Sequence, residues 1–167
     1  MAHTRLIEPK RGLTLRVRPL RNGDVRTVLA VFERLSEESR RTRFNGPKPR
    51  LAVSELQQLA LIDGTRHALV AYVEVEGDLR PVAIARLVRE GASAEIAFAV
   101  ADEYQERGIG SALTAELIAD ARAAGIREVT ALVASDNPAA IAVLRRILNM
   151  LDIRLEGPAL AIRAAIA

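Results

Sequence analysis

The sequence has no cysteine and no tryptophan, five other aromatic residues, and only two lysines among its 24 basic residues. Each scarcity excludes something. Without cysteine there is no disulfide, no thiolate metal site and no covalent cysteine intermediate. With aromatics at 3% of the chain, leucine, isoleucine, valine and alanine must fill the interior. No run approaches the ~18 apolar residues of a membrane span, and the first thirty residues hold no apolar secretory core. No membrane contact and a cytoplasmic location are therefore expected. His3 and His67 have no carboxylate or second histidine at ligand spacing, so no metal is expected. Ser111 and Ser135 lack the histidine pattern of an activated nucleophile and read as turn or cap residues. The arginines are scattered among Glu and Asp, leaving a net charge of only +3, and nucleic acid is not an expected partner.

What is present is ordinary for a globular domain: 167 residues, half of them hydrophobic. Residues 1–12 show no periodicity around Pro9 and Gly12 and read as a flexible terminal segment, leaving 13–167 as one domain. Alternation predicts a strand over Leu13–Val17. Asn22-Gly23-Asp24 then caps a helix to Leu35, and Ser36 starts a short helix to Phe44. Asn45 to Pro49 is a loop, and Ser54 is placed as the cap of a helix over Leu56–Leu61. Three strands follow in a meander, His67–Val75, Val82–Val88 and Ala94–Val100. A helical face runs through Leu113, Leu117, Ile118 and Ala121 to a stop at Gly125. Val129–Ala134 is a strand, and Asn137-Pro138 opens a helix through Ile141, Leu144 and Ile147. The tail predicts a hairpin of Leu151–Leu155 and Leu160–Ile166. This order makes an α+β layer rather than a Rossmann alternation.

The informative stretch is Gln105-Glu106-Arg107-Gly108-Ile109-Gly110-Ser111, which leaves a strand and opens a helix. Glycines at alternate positions let successive N–H groups curl into one hollow, and the helix behind adds unpaired donors and a positive dipole end. Such a nest suits a diphosphate. Gly110-Ser111-Ala112 is not the Gly-Lys-Ser/Thr of a Walker loop, and Leu113 stands where a dinucleotide fingerprint needs a small residue.

Gln105-x-x-Gly108-x-Gly110 resembles the acyl-CoA signature of the GCN5-related N-acetyltransferase (GNAT) superfamily. Ala94–Val100 before it and Asn137-Pro138-Ala139-Ala140 after it stand at distances similar to the family's, and the likeness spans residues 13–166. The resemblance implies a central, mostly antiparallel sheet, splayed apart between two strands and flanked by helices. It also implies acetyl-CoA or another acyl-CoA as cosubstrate. Carried across, the amides of Gln105, Glu106, Arg107, Gly108, Ile109, Gly110 and Ser111 would hold the diphosphate. Phe98, Ala99 and Val100 would border pantetheine, and Asn137 would reach the pantetheine or acyl end, unless it is a helix cap alone.

Glu95 shares a strand face with Ala97 and Ala99, whose small side chains leave space around a carboxylate. An alkyl ammonium of pKa ~10.4 must lose its proton to attack a thioester, which costs about 4–5 kcal/mol at pH 7. Glu95 is the candidate general base, directly or through water, and it matches the family's base position. The tyrosine that many members use as general acid is absent from Arg145–Met150, so the acid is undetermined. The expected function is acyl transfer to a primary amine. The segment from Phe32 to Phe44, combined with Ala94 to Gly110, is similar to bacterial protein lysine acetyltransferases, and the acceptor is expected to be a small amine or a protein lysine. The alternative is a non-catalytic acyl-CoA sensor or interaction module. Monomer and homodimer are both compatible.

Overall fold

The computed structural model describes residues 3–149 and 151–166. Eight strands form one sheet in the order β1-β2-β3-β4-β5-β6-β8-β7. Strands β1 (Arg5–Lys10) and β2 (Leu13–Pro19) lead into helices α1 (Val25–Glu33), α2 (Glu37–Phe44) and α3 (Val53–Leu59). The meander β3 (Arg66–Val75), β4 (Asp78–Glu90) and β5 (Ser93–Val100) follows, then α4 (Ile109–Ala123), β6 (Glu128–Ala134) and α5 (Pro138–Ile147). The hairpin β7 (Asp152–Glu156) and β8 (Ala159–Ala165) closes the chain. Every neighbouring pair is antiparallel except β5 and β6. The expected α+β class and mostly antiparallel sheet flanked by helices are what is found.

The helix starts follow the local chemistry. The Asp24 carboxylate accepts from Thr27 N–H at 3.0 Å, and the Ser36 hydroxyl accepts from Ser39 N–H at 3.1 Å. The third helix departs from expectation. It begins at Val53 rather than after Ser54, and the Glu55 carboxylate accepts from Ala52 N–H at 2.8 Å. The signal was a glutamate in the first turn, not a hydroxyl before it.

Helix α4 lies against the sheet with Ile109, Leu113, Leu117 and Ile118 almost wholly buried, facing Leu15, Leu69 and Val129 in one core. Burying each such side chain contributes about 1.5–3 kcal/mol, so this layer holds the start of α4 in place.

The terminal segment is corrected. Arg5–Lys10 is an edge strand hydrogen-bonded to β2, with Gly12 at φ +84° in the turn between them. Arg5 donates to Glu116 Oε2 at 2.8 Å and to Asp120 Oδ1 at 2.6 Å, both on α4. The inward positions of β1 are Arg5, Ile7 and Pro9, so its alternation carries a single large apolar residue and leaves no hydrophobic signal. An edge position tolerates Pro9. His67, isolated along the chain, places Nε2 2.9 Å from Asp120 Oδ2 in the same cluster.

Candidate active site

The sheet opens between β5 and β6. These strands pair only at Ser93–Glu128, Ala94–Val129 and Glu95–Thr130, and then diverge. Ala101 N–H bonds to Val82 on β4, so by strand alternation the backbone groups of Phe98 and Val100 point away from β4, toward the gap. The Val100 carbonyl is taken by Gln105 Nε2 at 3.0 Å. The Phe98 groups and the Val100 N–H are left as polar edges needing a partner.

A cavity of about 520 Å³ lies beside this opening. One wall is Phe98, Ala99 and Val100; another is the turn and first residues of α4, including Gly108, Gly110 and Ser111. The far wall is α5, where Ala139, Ala140 and Val143 present small side chains below Asn137.

The turn is built by two left-handed residues, Glu106 at φ +61° and Gly108 at φ +78°. Gly108 adopts that conformation without strain because it has no Cβ. Gly110 does not: it is already helical, and an added Cβ would meet Val100 and Val143 at 3.5 and 3.7 Å, ordinary contact. Glu106, a non-glycine residue in a rare conformation, is braced by Lys10, whose ammonium donates to its carbonyl at 2.9 Å. Beyond the turn, Ala112 N–H bonds to Gly108 O, but the N–H groups of Ile109, Gly110 and Ser111 have no partner among the described residues. Three free amides at the N-terminal end of a 15-residue helix form an anion-binding end.

Two expectations for this stretch are adjusted. The Gln105 N–H is not free, because it closes a 3₁₀ turn onto Asp102 O at 3.2 Å. Its side chain works instead as a brace between the Val100 carbonyl and the Ser39 hydroxyl. Arg107 does not line the cavity; its guanidinium lies 5.1 Å from the centre of the Tyr104 ring. Phe98, Ala99, Val100, Gln105, Glu106, Gly108, Ile109, Gly110, Ser111 and Asn137 all do line it. Asn137 also caps α5 by accepting from Ala140 N–H at 3.2 Å, so the cap and a place in the cavity coexist.

Glu95 stands elsewhere. It is exposed, on the last paired rung before the strands part, and borders a separate hollow with Val88, Thr130 and Arg163. The space above Ala97 and Ala99 is largely filled, since Phe32, Arg43 and Phe44 pack there.

Sequence reasoning missed Lys10, Ser39, Thr42, Arg43 and Arg146, which complete the cavity wall from β1, α2 and α5. Only Arg146 had a local signal, three residues after Val143 on the same helical face.

Helix α2 is tied to the turn by Asp102, whose carboxylate accepts from Ser36 N–H at 2.8 Å. Burial alone would raise the Asp102 pKa, but bonds from the Ser36 amide and the Ser36 and Ser39 hydroxyls outweigh it and hold the group below its ordinary 3.8. A carboxyl whose folded pKa is depressed contributes stability above its unfolded pKa and loses it as pH falls through the folded value. The anchor is thus expected to hold above about pH 4 and to loosen below it. Amide-exchange protection of Ser36 and Ser39, followed in acid, would report this, and protection flat down to about pH 2 would refute it.

Residues 31–150 match the model of the Acetyltransferase (GNAT) family. The chain belongs to that family. It is a GNAT domain, as the turn motif implied. The chain is 38% identical over 150 residues to the acetyltransferase Pat of Mycolicibacterium smegmatis, a match covering 87% of this chain and 43% of that protein. It therefore spans less than half of that relative. An acetyltransferase of Pseudomonas aeruginosa is 34% identical over 131 residues, covering 77% of this chain and 70% of the other. Among solved structures, the GNAT domain of S. lividans PAT superposes with a TM-score of 0.85 at 29% identity, covering 97% of this chain and 96% of that one. Among the described residues no helix of this GNAT domain is long and apolar enough to cross a membrane, and no cluster of three or more His, Cys, Asp or Glu could hold a metal ion.

Proposed function

We propose that this GNAT domain binds acyl-CoA along the β5–β6 opening and moves its acetyl or short acyl group onto a primary amine, with Glu95 as general base. The observation that carries the reading is the conjunction of three free amides at the start of α4 with unpaired strand backbone beside the same cavity. The fit is chemical: a diphosphate needs clustered N–H donors, and a pantetheine arm carries amides that pair as a strand edge does.

Acyl-CoA would supply the acyl group as an activated thioester whose C–S bond breaks as the amide forms, with coenzyme A leaving as its thiol. The protein's own residues do the rest. Ile109, Gly110 and Ser111 would donate to the diphosphate, and the left-handed turn at Glu106 and Gly108 fixes their direction. Phe98 and Val100 would orient the arm. Glu95, whose carboxylate has no hydrogen bond or ion pair among the described residues, is available to take the proton of an incoming ammonium from the open face of the sheet. Because it does not line the cavity, a bridging water is the natural relay. A protein lysine fits this reading, since Glu95 is exposed and a lysine side chain is long enough to reach a recessed thioester; relatives named Pat support the same class.

Lys10 belongs to the site through β1. Its ammonium lies at the turn and lines the cavity. Lys10→Ala is expected to weaken coenzyme A binding about fivefold, more at low ionic strength, by titration calorimetry. Unchanged affinity would remove Lys10 from the phosphate site. The whole reading is tested by calorimetry with coenzyme A on the intact chain and by thiol release from acetyl-CoA with an amine panel. Absence of binding would end it, and binding without turnover would favour a sensor.

A further inference from the structure

Between α1, α2 and β4 lies a second hollow of about 30 Å³, walled by Val28, Phe32, Ile84 and Ala97. Two guanidiniums, Arg43 and Arg86, enter this otherwise apolar space. Neither has a carboxylate within ion-pair distance among the described residues. Arg86 gives one bond, to the Gln58 carbonyl at 2.9 Å, and its Nε is buried without a partner. Arg43 lies 4.8 Å from the centre of the Phe44 ring and makes no hydrogen bond within the described residues. Arg43, Leu35 and Ala99 line both this hollow and the large cavity, so the two adjoin.

Both arginines are half-buried, and guanidiniums partly withdrawn from water are ordinarily paired. Here burial and the neighbouring Arg86 push the Arg43 guanidinium down to about 10, against a weaker opposing pull from Glu95. Arg86 is lowered too, by burial and then by Arg66, with Asp63 opposing. A group that adds one negative charge and two acceptor oxygens would satisfy the orphan Nε, accept from both guanidiniums and neutralise one of the two charges. Apolar walls around it favour a short alkyl stem. The volume is that of one carboxylate, since a single water occupies about 10–15 Å³ on the same measure.

We propose that this hollow is a carboxylate subsite, formed by Arg43 and Arg86, at the inner end of the acyl-CoA cavity. It rests on the acyltransferase reading above. The carboxylate arrives either on the acyl chain or on the amine acceptor, and the test separates the two sources. One arm compares succinyl-CoA with butyryl-CoA on a common amine. The other compares β-alanine with propylamine, using acetyl-CoA. In one arm, kcat/KM for the carboxylate compound is expected to exceed that of its neutral counterpart by about tenfold or more. Arg86→Met and Arg43→Met should bring that ratio close to one, and Arg86→Lys should retain part of it. Ratios near one in both wild-type arms would overturn the proposal, as would a preference that survives both methionine variants. The wild-type ratios decide the matter if a variant does not fold. If no pair turns over, the transferase reading fails separately. Calorimetry with the same four compounds then decides the subsite, with tighter binding of a carboxylate compound sustaining it and equal binding removing it.

Discussion

Gly110→Asp is expected to weaken coenzyme A binding at least about 100-fold while leaving the fold intact. The fold survives for two reasons. An added Cβ meets only ordinary contacts with Val100 and Val143, and a carboxylate in the first turn of α4 favours the helix dipole. Binding fails because a fixed negative charge would stand among the three amides proposed to receive the diphosphate. Two like charges about 4 Å apart cost about 4 kcal/mol at an effective dielectric of 20, which exceeds a 100-fold loss. Gly110→Ala is the control. It adds the same Cβ without charge, and its affinity should stay within about threefold of the parent, since the backbone there is already helical. Calorimetry of both variants, with thermal melts to show that they fold, makes the comparison. Parent-like binding by Gly110→Asp would mean that the diphosphate does not lie on this helix.

Glu95→Gln should lower kcat about 100-fold at neutral pH and leave the affinity for coenzyme A nearly unchanged. The split follows from geometry, because Glu95 is outside the cavity but at the fork where the sheet opens. The glutamine keeps the shape and loses only the capacity to accept a proton. The deficit should shrink as pH rises toward ~10, where the amine loses its proton to solvent and needs no base. Steady-state rates across pH for both proteins test this. An unaltered kcat at pH 7, or a deficit independent of pH, would take the base role from Glu95.

Much of the fold was legible because its signals are short-range. Alternation marked β2, a meander of apolar runs between turns marked β3, β4 and β5, and the cap residues Asp24, Ser36 and Asn137 each marked a helix start. Where those signals were missing, so was the reading. The inward face of β1 is Arg5, Ile7 and Pro9, and its fixing contacts are ion pairs to Glu116 and Asp120, more than a hundred positions away. Nothing within a ten-residue window could reveal them. The same holds for His67, which looked solitary and faces Asp120.

The candidate site divides along the same line. The chain alone determined that a strand would end in a glycine turn opening a helix, because each step depends on backbone preferences over a few residues. The resemblance of that turn to the GNAT signature implied the family, which the family match shows, and with it an acyl-CoA cosubstrate as an expectation. Local geometry visible only in the structure settled which of those residues stay available: the Gln105 amide is consumed by a 3₁₀ turn, Arg107 rests on Tyr104, and Gly110 needs no special backbone. Tertiary structure brought Lys10, Arg43 and Arg146 to one cavity and left Glu95 outside it, at the fork of the sheet. Such placement depends on the paths of strands and helices through space, and side chains tens of residues apart become neighbours only once the sheet has formed.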